Sequence, residues 1–109
     1  MIPSGMQVFV ALTPIDMRYS FDRLSGLAQE HTGYGAASGA LFIFFGRRRE
    51  SVKVLFVDAT VTCIFYKRLK RGTFQVPKIE GNARHVEIDE TALEALLAGF
   101  DFDTRGITH

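Results

Sequence analysis

The chain has 109 residues, enough for about one domain and one modest core, and too few for a separate catalytic domain. Hydrophobic residues make up 47% and charged residues 23%, which excludes a chain kept disordered by charge. The net charge of +1 hides a strong asymmetry. Residues 46–78 carry nine cations (Arg47, Arg48, Arg49, Lys53, Lys67, Arg68, Lys70, Arg71 and Lys78) against only Glu50 and Asp58, while residues 79–109 carry seven acids against two arginines. A basic middle of this kind points to an anionic partner.

Cys63 is the single cysteine, so an intrachain disulfide and a cysteine-rich metal cluster are both excluded. A reducing cytoplasm suits that composition. The first residues, Met1 to Met6, lack the charged start and apolar run of a signal peptide, and Ala40–Phe45 is too short to cross a bilayer. A cytoplasmic protein without membrane attachment is therefore expected.

In chain order, Met6–Leu12 is apolar and rich in β-formers, and predicts a buried strand ended by Thr13-Pro14. A helix is expected over Tyr19–His31. Its apolar face is Phe21, Leu24, Leu27 and Ala28, its N-cap Ser20 and its stop Gly33. Gly33–Gly39 has the composition of a loop. Three apolar runs follow, Ala40–Phe45, Val52–Val57 and Val61–Tyr66, joined by gaps short enough for antiparallel pairing. Thr73–Val76 suggests another short strand, and His85–Ile88 a final one. Asp89 then caps a second helix, Glu90–Ala98, with Leu93, Leu96 and Leu97 on its inner face and Gly99 after it. Phe100–Asp103 is expected to dock loosely. The fold expected is α+β, a small antiparallel meander of three to five strands that lays one apolar face against two helices. Residues 1–103 form the single domain and 104–109 a flexible tail.

In a meander, the end of the first strand and the end of the third share one edge of the sheet. Arg47, Arg48 and Arg49 follow the first, and Lys67, Arg68, Lys70 and Arg71 follow the third. Together with Lys53 they are candidates for one basic rim. Phosphate recognition needs several cations held at fixed places, each releasing a counterion, and arginine adds a bidentate fork. The same residues also suit a solvated hairpin tip and strand end. Phe42, Phe44, Phe45, Phe56, Phe65, Tyr66 and Phe74 lie in or beside the strands. Aromatics there serve either as core or as platforms for bases, and Tyr66, next to Lys67 and Arg68, is the best stacking candidate. Alternation puts Phe42 and Phe44 on one face and Phe45 on the other.

Catalytic chemistry finds little support. Asp16, Asp22, Asp58, Glu87 and Asp89 are the acids from which a metal site could be built, but Asp58 suits a turn and Asp89 a cap. His31, His85 and His109 lack ligand spacing. Cys63, inside an apolar run, is expected as a buried and inert thiol rather than a nucleophile paired with His85. Gly33-Tyr34-Gly35 opens onto no helix and fails the context of a phosphate loop. No catalytic residue, metal or cofactor is expected.

Taken in order, several stretches resemble one family. They are Thr13–Arg18, Ser20–Leu24, Ser38–Phe44, Gly46–Arg49, Val52–Leu55 and Asp58. The most specific is Tyr66-Lys67-Arg68-Leu69 followed by Gly72, Phe74 and Pro77, and Leu96–Asp101 closes the series. Over about Val8 to Phe102 the chain resembles the accessory protein of IS66-type insertion sequences, called TnpB or Orf2. It departs from the family at Asp58-Ala59-Thr60-Val61, where two glycines are usual, and at Phe65 and Val76, where tryptophan is common. The resemblance implies a non-catalytic role in transposition beside a separate transposase. Two modes of action follow. One is nucleic-acid binding through Arg47, Arg48, Arg49, Lys53, Tyr66, Lys67, Arg68, Lys70 and Arg71, with transposon-end DNA as partner. The other is a protein–protein adaptor that assembles with the transposase, with a homodimer as a further expectation.

Overall fold

The computed structural model describes residues 6–33, 39–57, 60–78 and 81–98. The Asp58-Ala59 turn, the middle of the Gly33–Gly39 loop, Gly99, the Phe100–Asp103 segment and the expected tail lie outside the described residues.

Five strands form one sheet: β1 (Val8–Ala11), β2 (Leu41–Phe45), β3 (Ser51–Val57), β4 (Thr62–Arg68) and β5 (His85–Ile88), in the order β4-β3-β2-β1-β5. Helix α1 (Phe21–Thr32) lies between β1 and β2 in the chain, and α2 (Glu90–Ala98) follows β5. The α+β class, the β2-β3-β4 meander and both helices are as the sequence predicts. One pairing is not: β1 and β2 run parallel, with Val8 opposite Leu41 and Val10 opposite Ile43. The intervening α1 returns the chain to the starting end of the sheet, which a hairpin cannot do.

The helices also cover opposite faces instead of sharing one. Leu24 and Ala28 of α1 pack with Phe9, Phe42, Phe44 and Leu55, while Leu93 and Leu96 of α2 pack with Val8, Val10, Ile43 and Phe45. Every residue of β1 and β2 is therefore buried. Strands covered on both sides read as continuous apolar runs, and VFVA and LFIFF are such runs. Phe42 and Phe44 do face one side and Phe45 the other.

The helix ends follow local chemistry. Gly33 takes φ 78° and its N–H donates to the Gln29 carbonyl at 2.8 Å, closing α1 in the left-handed cap that glycine adopts without strain. Ser20 occupies the N-cap position but its side chain makes no capping bond. Phe21 is 45% exposed, so it does not belong to the buried face; it stands at the first turn, ahead of the stripe set by Leu24 and Ala28. Asp89 caps α2 as expected, its Oδ1 accepting from the Ala92 N–H at 2.8 Å.

Residues Thr73–Val76 form no strand. The Phe74 ring is buried against Phe45, 6.0 Å between centroids, and that contact fixes the segment in place of a ladder. β4 extends to Arg68 and so takes in Lys67 and Arg68 as strand residues.

Candidate nucleic-acid interface

The β2–β3 hairpin turns at Gly46–Glu50. The Arg49 N–H donates to the Gly46 carbonyl at 3.0 Å, and the Gly46 N–H to the Ser51 carbonyl at 3.1 Å. Arg49 has φ 60°, a conformation costing an L-residue on the order of 1 kcal/mol. The tip is then stitched to the chain beyond β4 by two more backbone bonds, Leu69 N–H to Glu50 O at 2.9 Å and Phe74 N–H to Arg49 O at 2.7 Å. Those bonds bring the two basic clusters together at one end of the sheet.

The floor beside the tip comes from the chain after β1. Ile15 bridges Gly46 in parallel, its N–H donating to the Phe45 carbonyl at 2.8 Å. Between Val10 and Ile15 the register slips by two residues around Thr13-Pro14, where proline offers no ladder donor. A Cβ on Gly46 would lie 2.8 Å from Met17 Cγ, so a larger residue there would displace the Met17 side chain.

A cleft of about 510 Å³ results, lined by Ile15, Asp16, Met17 and Gly46 together with Arg47, Arg48, Glu50, Ser51, Tyr66 and Arg68. A second hollow of about 490 Å³ adjoins it, lined by Arg48, Glu50 and Arg68 through Gly72. Arg48 and Arg68 line both, so Arg47, Arg48, Arg68, Lys70 and Arg71 border one continuous surface. Tyr66 is 52% exposed, its hydroxyl 3.3 Å from Ser51 Oγ.

Three other predicted residues stand differently. Lys53 Nζ donates to the Tyr19 carbonyl at 2.7 Å and lies 5.8 Å from the Tyr66 ring centre, a structural brace on the α1 face. Arg49 is exposed on the tip but is not among the residues lining either hollow. Lys67 faces the opposite side of the sheet from Tyr66 and Arg68, because side chains alternate along a strand. Its Nζ donates to the Leu97 carbonyl at 2.6 Å near the end of α2, where a cation also meets the negative end of the helix dipole.

The cleft is not purely basic: Asp16 and Glu50, which the sequence offers only as a possible metal ligand and a lone acid in the basic stretch, line it beside the arginines. Asp16 accepts a side-chain fork from Arg18, Nε at 3.0 Å and a terminal nitrogen at 2.6 Å, and the Arg18 N–H at 2.9 Å. These bonds, with Arg47 adding attraction, hold its carboxyl well below the usual carboxylate range. Glu50 lies 3.9 Å from Arg48. The Asp16-x-Arg18 spacing was the available signal for a local side-chain turn.

Cys63 is exposed, not buried, because β4 is an outer strand. It lies on the edge opposite to His85 of β5, separated by the width of a five-stranded sheet, about 19 Å. Among the described residues no group of three or more His, Cys, Asp or Glu side chains is placed to hold a metal ion, and no helix is long and apolar enough to cross a membrane.

Residues 6–106 match the family model described as IS66 Orf2 like protein. An uncharacterized Sinorhizobium fredii protein, y4hO, is 38% identical over 104 residues, covering 94% of this chain and 89% of its own length. A second from the same organism, y4jC, also uncharacterized, is 26% identical over 98 residues, covering 90% and 82%. No solved structure matches the chain. With the family model spanning nearly the whole sequence, the chain belongs to the IS66 Orf2-like family of insertion-sequence proteins.

Proposed function

We propose that this insertion-sequence protein assists transposition by binding nucleic acid, the DNA of transposon ends, through the surface bordered by Arg47, Arg48, Arg68, Lys70 and Arg71. The observation that carries the reading is the stitching of the hairpin tip to the segment after β4, which gathers cations from two distant stretches of sequence beside an exposed tyrosine. Each phosphate neutralised releases counterions, so affinity falls with salt, and Tyr66 offers a ring face to an unpaired base. The role is non-catalytic; strand cutting belongs to the separate transposase that the resemblance implies.

A gel-shift titration on duplex transposon ends tests it. The triple variant Arg47→Glu, Arg48→Glu, Arg68→Glu loses at least tenfold in affinity at low salt, and the loss shrinks as salt rises. A wild-type chain that gives no shift at low salt contradicts the reading.

The adaptor reading draws on Asp16 and Glu50, carboxylates lining the same cleft and suited to an arginine-bearing segment of the transposase. A pull-down with the transposase in nuclease-treated extract separates the two. Capture that survives nuclease favours the adaptor, and capture that vanishes favours nucleic acid.

A further inference from the structure

The outer edge of β4 has a self-complementary pattern. Edge strands are usually blunted by proline, bulges, short length or spaced charges. β4 has seven residues in unbroken register with β3, no proline, and its cations only at one end, Lys67 and Arg68. Phe65 is 55% exposed and Tyr66 52%, so the strand reaches beyond the cover of both helices. Among the described residues, no strand pairs with its outer side.

Hydrogen-bond alternation fixes which backbone groups point outward. The Leu69 N–H bonds to Glu50, so Leu69 and the odd-numbered residues before it turn toward β3. The Gly46–Ser51 bond is the corresponding contact on the β2 side of β3, and it gives the same phase. Thr62, Ile64, Tyr66 and Arg68 therefore direct their N–H and C=O groups to the free edge.

The geometry points to a second copy of this chain as the occupant, paired antiparallel β4 to β4 about a two-fold axis at Phe65. This register engages all four outward residues of each strand, with about eight interchain hydrogen bonds; centring one residue either way gives about six. It sets Phe65 against its own copy as a close aromatic pair. It places Ile64 opposite Tyr66, Thr62 opposite Arg68 and Cys63 opposite Lys67, so no two cations face each other. Parallel pairing would stack Lys67 on Lys67 and Arg68 on Arg68. The two-fold axis is perpendicular to the sheet, so both clefts open on the same side of the joined sheet. This inference is independent of the nucleic-acid reading.

Cross-linking of the full chain tests the register. Residues 63 and 67 of opposed strands form a non-hydrogen-bonded pair with Cα atoms about 4.5 Å apart, within reach of a disulfide. The two copies of Cys63 are about 13 Å apart along the strand direction and cannot bond within the dimer. In sedimentation equilibrium the wild-type chain has twice the monomer mass. Under mild oxidation Lys67→Cys, with Cys63 retained, gives a covalent dimer at a rate independent of protein concentration, and the wild type gives none at that rate. Phe65→Lys sets like charges against each other and shifts the chain to monomer. A wild type that stays monomeric up to millimolar concentration overturns the inference. So does a dimer in which Lys67→Cys fails to cross-link, or one that Phe65→Lys leaves intact.

Discussion

β2 and β4 both grow from apolar runs in the sequence, Ala40–Phe45 and Val61–Tyr66, yet they have opposite fates. LFIFF is buried at every residue, whereas TCIFYKR is exposed at five of its seven. Position explains the difference: β2 lies between β1 and β3 under both helices, and β4 is the last strand on its side. Apolar content makes a strand; its place in the sheet decides whether the side chains serve the core or the surface. The outer strand thereby keeps Tyr66 and Arg68 free to face a partner while its inner edge is held by the ladder to β3.

The largest expected effect separates the two strands directly. Phe44→Ala leaves a cavity in the core and costs about 3–5 kcal/mol. Phe65→Ala, under dilute conditions that keep the chain monomeric, costs less than about 0.5 kcal/mol. Urea denaturation of both variants measures the contrast, and equal losses would break it. A smaller effect concerns the tip where β2 ends. Arg49→Gly relieves a positive φ that costs on the order of 1 kcal/mol but adds about 0.4–1 kcal/mol of unfolded-chain entropy, so the net stabilisation is at most about 0.5 kcal/mol, read as a slightly higher denaturation midpoint.

The smallest effect lies away from β4. His31 Nδ1 is buried without a hydrogen-bond partner among the described residues, and burial, with Arg84 nearby, pushes its pKa below 6.5. The unfolded chain then takes up a proton that the folded one resists. Its contribution is complete above about pH 6.5 and is lost as pH falls toward the lowered folded value. Thermal melts of the wild type should drop in midpoint between about pH 7 and 5, and His31→Gln should flatten that drop.

Much of the fold was legible in the sequence because it is written locally. Gly33 and Asp89 mark helix ends, Pro14 marks a strand end, and His85–Ile88 and Glu90–Ala98 have the predicted bounds. The parallel β1–β2 pair was not legible, since it depends on where α1 carries the chain; cover on both faces was marked by the continuous runs VFVA and LFIFF, but not which helix takes which face. The basic rim was partly readable. The meander brings Arg47, Arg48 and Arg68 to one end of the sheet, while strand alternation sends Lys67, their neighbour in the linear cluster, to the other face. The exposure of Cys63 was hidden by the same ambiguity that separates β2 from β4. Glycine and methionine at positions 46 and 17 shape the cleft floor through a contact between remote segments, which no spacing rule reveals.

Lys67 and Arg68 are neighbours of equal charge on opposite faces of one strand, and they give the most direct test. The measurement is the slope of log affinity against log salt for duplex transposon ends, compared among wild type, Lys67→Gln and Arg68→Gln. Removing one phosphate contact lowers the magnitude of that slope by about 0.9, so Arg68→Gln should show that fall and Lys67→Gln should match the wild type. Equal falls in both variants, or a fall confined to Lys67→Gln, would contradict a binding surface on the cleft side of the sheet.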